Sequence, residues 1–146
     1  MEMIEVKTAE LIGPALRYAV AVATGFKLKR LEEGDYAEGE PHWWMVYDQA
    51  RVTDSKNGMV GYIQPRTSCY SYHPDKSWSQ GGPLIEKYKV RFDYRIADFG
   101  LVMASACGLL YDHAYKGCDS YLVAACRAIV HAKLGYTVSV PKELMQ

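Results

Sequence analysis

The sequence predicts an α+β fold: a mostly antiparallel sheet with two main helices packed on one face. Three observations carry that reading. Several short segments alternate apolar and polar residues with a period of two, and two segments repeat apolar residues at helical spacing between recognisable caps. The chain also has 146 residues, 49% of them hydrophobic, which suits one domain with a core that needs neither disulfides nor metal. A single domain over residues 1–146 is therefore expected.

The chain opens with "MIEVKT", where Ile4, Val6 and Thr8 alternate with Glu5 and Lys7 as in a half-buried strand. In "GPALRYAVAVATG", Pro14 suits a first helical position, Leu16, Ala19, Val20 and Ala23 recur at helical spacing, and Gly25 stops the helix. The charged stretch from Lys27 to Pro41 reads as a solvated connection. Trp43 to Tyr47 and Met59 to Ile63 read as strands of a meander, with turn residues Lys56, Asn57 and Gly58 between them. Trp43 and Trp44, as strand neighbours, should point to opposite faces. After a loop rich in Ser, Pro, Gly and aromatics, "LIEKYKVRFDY" alternates with Ile85, Tyr88, Val90 and Phe92 inward, and the phase slip after Ile85 suggests a bulge. The segment from Phe99 to Tyr111 is long enough for a helix, but its glycines and the lack of a clean apolar stripe favour two short strands there. Ser120 caps a helix whose apolar face includes Leu122, Ala125, Cys126, Ile129, Val130 and Leu134, and which Gly135 ends. A terminal strand, "YTVSVP", follows.

Lys plus Arg and Asp plus Glu are both 17, so no long-range field favours duplex nucleic acid or an anionic membrane. The four cysteines, Cys69, Cys107, Cys118 and Cys126, show no close-pair spacing, and the opening residues lack the pattern of a signal peptide, so a reducing cytoplasm is the expected compartment. No apolar run is long enough to cross a bilayer as a helix. Catalytic signatures are missing: there is no nucleophile elbow, no phosphate-binding P-loop and no H-E-x-x-H. His73, His113, Cys118, Cys126 and His131 offer reactive or ligating atoms without a ligand-like rhythm, and ordinary buried or half-exposed roles outweigh a Cys-His pair or a zinc site. No metal, cofactor or catalytic residue is assigned.

The candidate site is the segment around "SWSQGGPLIE". Trp78 offers a flat ring for stacking, with Tyr70, Tyr72 and His73 close in sequence. Ser79 and Gln80 add directional polar groups. Gly81 and Gly82 would let backbone amides approach a ligand oxygen, and Pro83 would fix the exit into a strand. Glu86 follows the turn and can bind a hydroxyl or a cation. Arg127, opposite the apolar stripe of the last helix, can grip a phosphate bidentately, although a solvated arginine is the default.

These residues form a resemblance. "WSQGGPLIE" resembles the signature W-x-Q-G-G-P-[IL]-I-E of the NinX-like small proteins encoded in the nin region of lambdoid phages. The opening "VKTAELIGPALRYAVA" and the close "LVAACRAIVHAKLGYTVSVPKEL" resemble that family's two ends. Ser77 stands where the family usually has Asp, and "LVMASA" where it has a tryptophan-alanine strand. The resemblance implies a phage or prophage accessory protein without implying a reaction. The function expected is a non-enzymatic binder of a nucleotide-like small molecule, a sponge for a host defence signal such as a cyclic nucleotide or an ADP-ribose derivative. The alternatives are a protein-interaction module that blocks a host enzyme, and a small nucleotide-acting enzyme using His73, His113 or Glu86. A homo-oligomer is expected from the sheet face that the helices leave uncovered.

Overall fold

In a computed structural model, the structure describes residues 2–30, 44–47, 50–53, 60–63, 66–68, 72–95, 101–106 and 120–145. The α+β class holds, with three helices among the described residues. Strand β1 (Met3–Lys7) lies antiparallel to the last strand, β9 (Thr137–Pro141), pairing Met3 with Pro141 and Lys7 with Thr137. Two ends of the chain are thus joined, and Thr8 locks them further: its amide donates to the Tyr136 carbonyl at 2.8 Å and its hydroxyl to the Gly135 carbonyl at 2.7 Å.

Helix α1 (Gly13–Ala23) starts with Pro14 in its first turn and ends where Gly25 takes φ 86°, which lets the Phe26 amide reach back to the Ala21 carbonyl at 3.0 Å. Helix α3 (Tyr121–Leu134) starts at Ser120, whose hydroxyl accepts from the Val123 amide at 3.3 Å, and stops at Gly135 with φ 92°. The stripe of α1, Leu16 and Val20, meets Cys126 and Val130 of α3 together with Val6, Val138 and Val140 of the terminal strands. The opposite side of α3, Ala124, Ala128 and Ile129, packs with Tyr88 and with Ala104 and Ala106. Those alanines let strands β7 (Arg91–Arg95) and β8 (Leu101–Ser105), an antiparallel pair, lie close to the helix. With Ala124 through Val130 all buried, α3 is the central rod of the molecule.

Several expectations change. Lys27–Arg30, read as part of a solvated connection, is strand β2 and pairs with β3 (Trp44–Tyr47), which also pairs with β6 (Arg66–Ser68). The meander is replaced by a different pairing, because a further strand, β4 (Ala50–Thr53), intervenes and takes β5 (Val60–Ile63) as its partner. The strands form separate antiparallel groups among the described residues, where one sheet was expected. Leu101–Ser105 is a strand, as the Phe99 to Tyr111 reading held. That segment's second strand, the side chains of Trp43 and Trp44, and the turn at Lys56 to Gly58 lie outside the described residues.

The largest correction falls on the candidate site. The expected Gly-Gly-Pro turn and the start of the strand after it are one helix, α2 (Trp78–Lys87). The phase slip after Ile85 is the end of this helix, where Lys89 turns left-handed at φ 51° and the Val90 amide closes onto the Ile85 carbonyl at 3.0 Å.

Candidate functional site

Propensity argues against α2. Each glycine inside a helix costs about 1 kcal/mol relative to alanine and an interior proline about 3 kcal/mol. The helix forms because tertiary contacts outweigh those costs. Residues 73–77 make a tight turn in which the Lys76 and Ser77 amides donate to the His73 carbonyl at 2.9 and 3.0 Å. Gln80, in the first turn of the helix, reaches back and accepts from the His73 amide through its side-chain oxygen at 2.7 Å. The turn and the helix therefore hold each other.

Two further contacts fix this unit to the core. Asp75, 4% exposed, receives Nε of Arg17 at 2.9 Å on one carboxylate oxygen and its guanidinium NH2 at 3.5 Å on the other, with Arg17 itself only 8% exposed. A paired charge of this kind is tolerated in the interior because each member satisfies the other. Gly81 permits the second contact. A Cβ there would stand 2.5 Å from the Pro74 carbonyl oxygen and 2.7 Å from Leu122 Cδ2, so the missing side chain is the space into which the turn and α3 pack. Gly82 has nothing within 4 Å of such an atom.

What this framework presents is Trp78, 59% exposed in the first turn of α2. Ser79 is exposed beside it, its hydroxyl 2.8 Å from that of Ser77, and Glu86 is exposed two turns along. Tyr72 turns inward. Its ring meets Phe26 edge-on at 5.5 Å, and burial pushes its phenol up to about 12, an effect only partly offset by the nearby Thr24 hydroxyl. That Tyr72 hydroxyl is buried without a hydrogen bond of good geometry, while Thr24 donates its own proton to the Val20 carbonyl at 2.8 Å.

The structure thus brings Tyr72, His73, Trp78, Ser79, Gln80, Gly81, Gly82 and Glu86 into one turn-helix unit. It gives them different work from that expected. Gly81 does not offer its amide to a ligand, because that N–H donates to the Ser77 carbonyl at 2.8 Å within the helix. Arg127 is not solvated: it is 9% exposed and its Nε donates to the Leu11 carbonyl at 2.8 Å, bracing α3 against the chain ahead of α1. The reason is that α3 is buried on every side from Ala124 to Val130, so there the side opposite its apolar stripe is also interior. Tyr70, His113 and Cys118 lie outside the described residues. Among the described residues no three of His, Cys, Asp and Glu converge on a common metal position, and no helix is long and apolar enough to cross a membrane.

Asp75 and Arg17 were not singled out from the sequence, where Asp75 passes for an ordinary turn residue. The available signal was Arg17, a lone charge between Leu16 and Ala19 on an otherwise apolar helix.

The arrangement defines a small α+β protein that displays an aromatic contact on a helix braced from within. The chain belongs to the NinX family of bacteriophage P22, whose family model matches residues 7–133. No curated protein matches it.

Proposed function

We propose that this phage-family protein acts by binding another protein, a host enzyme that it blocks, through the outward face of α2 with Trp78 as the anchor. The observation that carries the reading is the exposure of Trp78, a large aromatic side chain, on a unit anchored to the core through Asp75 and Gly81. An indole with 59% of its surface in water is an unfavourable way to end a helix, while buried tryptophans dominate the energetics of protein interfaces. The turn, the Arg17–Asp75 pair and Gln80 hold its backbone still, which lowers the ordering cost of binding.

The nucleotide-sponge reading draws on the same indole for stacking but loses three of its other supports. The Gly81 amide, the Gln80 side-chain oxygen and the Arg127 Nε already have protein partners. A protein anchor needs none of them. The test is affinity capture from host lysate after nuclease treatment and exhaustive dialysis. Wild type should retain a discrete host protein whose activity falls on binding, and Trp78→Ala should reduce retention at least about tenfold. A nucleotide released from denatured wild type, with no protein retained, would replace this reading with the sponge.

A further inference from the structure

Among the described residues the charge around α2 is one-sided, although the whole chain is neutral. The helix turns a half-cylinder outward, from Trp78 at one margin across Gly82, Glu86, Ser79 and Pro83 to Lys87 at the other. Lys76 precedes Trp78 and is exposed, as are Lys87 and Lys89 at the far end. Lys133 joins them from α3. Its Nζ lies 5.5 Å from the Tyr88 ring centroid, and that of Lys87 lies 5.4 Å from the same centroid. This meeting follows from the direction of the helices: Gly81 sits on Leu122 near the start of α3 and Tyr88 beside Lys133 near its end, so the two C-terminal ends lie together.

Helix ends explain only part of this cluster. A C-terminal dipole end offsets about half a charge, and that of α2 is cancelled over the same surface by its own N-terminal end. Glu86 is the one acid on the exposed half of α2, and Asp75 is already neutralised by Arg17 inside the protein. With the end of α3 and Glu86 subtracted from the four lysines, roughly two to three positive charges remain among the described residues. Lys76 in particular stands at the end of α2 where a cation is unfavourable, so helix stability does not account for it.

We infer that the partner of this face is an acidic protein surface: an apolar recess for Trp78 and a carboxylate cluster about 13.5 Å further along for the lysines around Tyr88. This rests on the protein-docking reading above and names the partner's chemistry. A nucleic acid is the weaker fit, because Glu86 in the middle of the face would meet its continuous row of phosphates.

The test uses short fluorescent poly-L-glutamate, with a single-stranded oligodeoxynucleotide of matched charge as comparison, followed by anisotropy. Wild type should bind poly-L-glutamate at low salt and lose about tenfold in affinity at physiological salt. Lys87→Glu with Lys133→Glu should weaken binding at least about fivefold. Lys7→Glu with Lys142→Glu, the same change of net charge on β1 and just past β9, should leave it within about twofold. Absence of poly-L-glutamate binding, equal loss in both reversals, or tighter binding of the oligonucleotide would each overturn the inference. Capture of a host protein through Trp78 without poly-L-glutamate binding would remove the acidic partner alone. Poly-L-glutamate binding without such capture would remove the docking reading.

Discussion

Gly81 and Gly82 are neighbours in sequence and opposites in consequence. Gly81→Ala gains helix propensity but pushes a methyl into the Pro74 carbonyl, which is backbone and cannot swing away. A net loss of about 1–3 kcal/mol is expected. Gly82→Ala meets open space and should be neutral or stabilising by up to about 1 kcal/mol, and urea denaturation of the two variants checks the contrast. Tyr72 adds a pH prediction. Its phenol is raised from 10.0 to about 12 in the folded protein, so its contribution to stability is fully present below pH 10. Between pH 10 and about 12 the unfolded chain releases this proton first and stability falls, by on the order of 2 kcal/mol from this residue. Tyr72→Phe should flatten that part of a stability-against-pH curve; an unchanged slope would show that the phenol ionises freely in the folded state. At this scale the sequence was informative about chemistry and silent about direction. It marked Trp78 as a ring able to bind and Arg127 as a cation able to grip, but only the packing shows the first facing water and the second bound to the Leu11 carbonyl.

Among the elements, α1, α3, β1 and β9 were legible because each carries its own signals: Pro14 and Gly25, Ser120 and Gly135, and strict alternation in the strands. Helix α2 was not, because Gly81, Gly82 and Pro83 all oppose a helix locally. Contacts distant in sequence decide the matter, chiefly Asp75 with Arg17, 58 residues away. The dependence is testable. Asp75→Ala leaves the Arg17 guanidinium buried without this carboxylate and should cost about 3–5 kcal/mol. Because the pair ties the turn to α1, amide hydrogen exchange in α2 should accelerate more than in α3, and uniform acceleration would contradict the anchoring role.

For the whole molecule, the class and the two terminal strands followed from pattern, whereas the pairing of those strands with each other and the pairings among β2, β3, β4, β5 and β6 did not. Short strands with weak alternation specify no unique partner, and β2 lies in a stretch whose charge reads as solvent exposure. The burial of α3 on every side from Ala124 to Val130 escaped for a related reason: small residues such as Ala124, Ala125 and Ala128 add little to an apolar stripe in sequence yet admit neighbours closely. The resulting molecule has a core centred on α3 and a turn-helix unit, held at Asp75 and Gly81, that sets one tryptophan in solvent. The central claim is that this tryptophan meets a protein. Replacing Trp78 by a photo-cross-linking phenylalanine analogue and irradiating the protein in host cells tests it most directly. The account predicts a covalent adduct to one host polypeptide, with the cross-link mapped beside an acidic segment. Adducts to small molecules only, or none while the variant remains folded by circular dichroism, would contradict it.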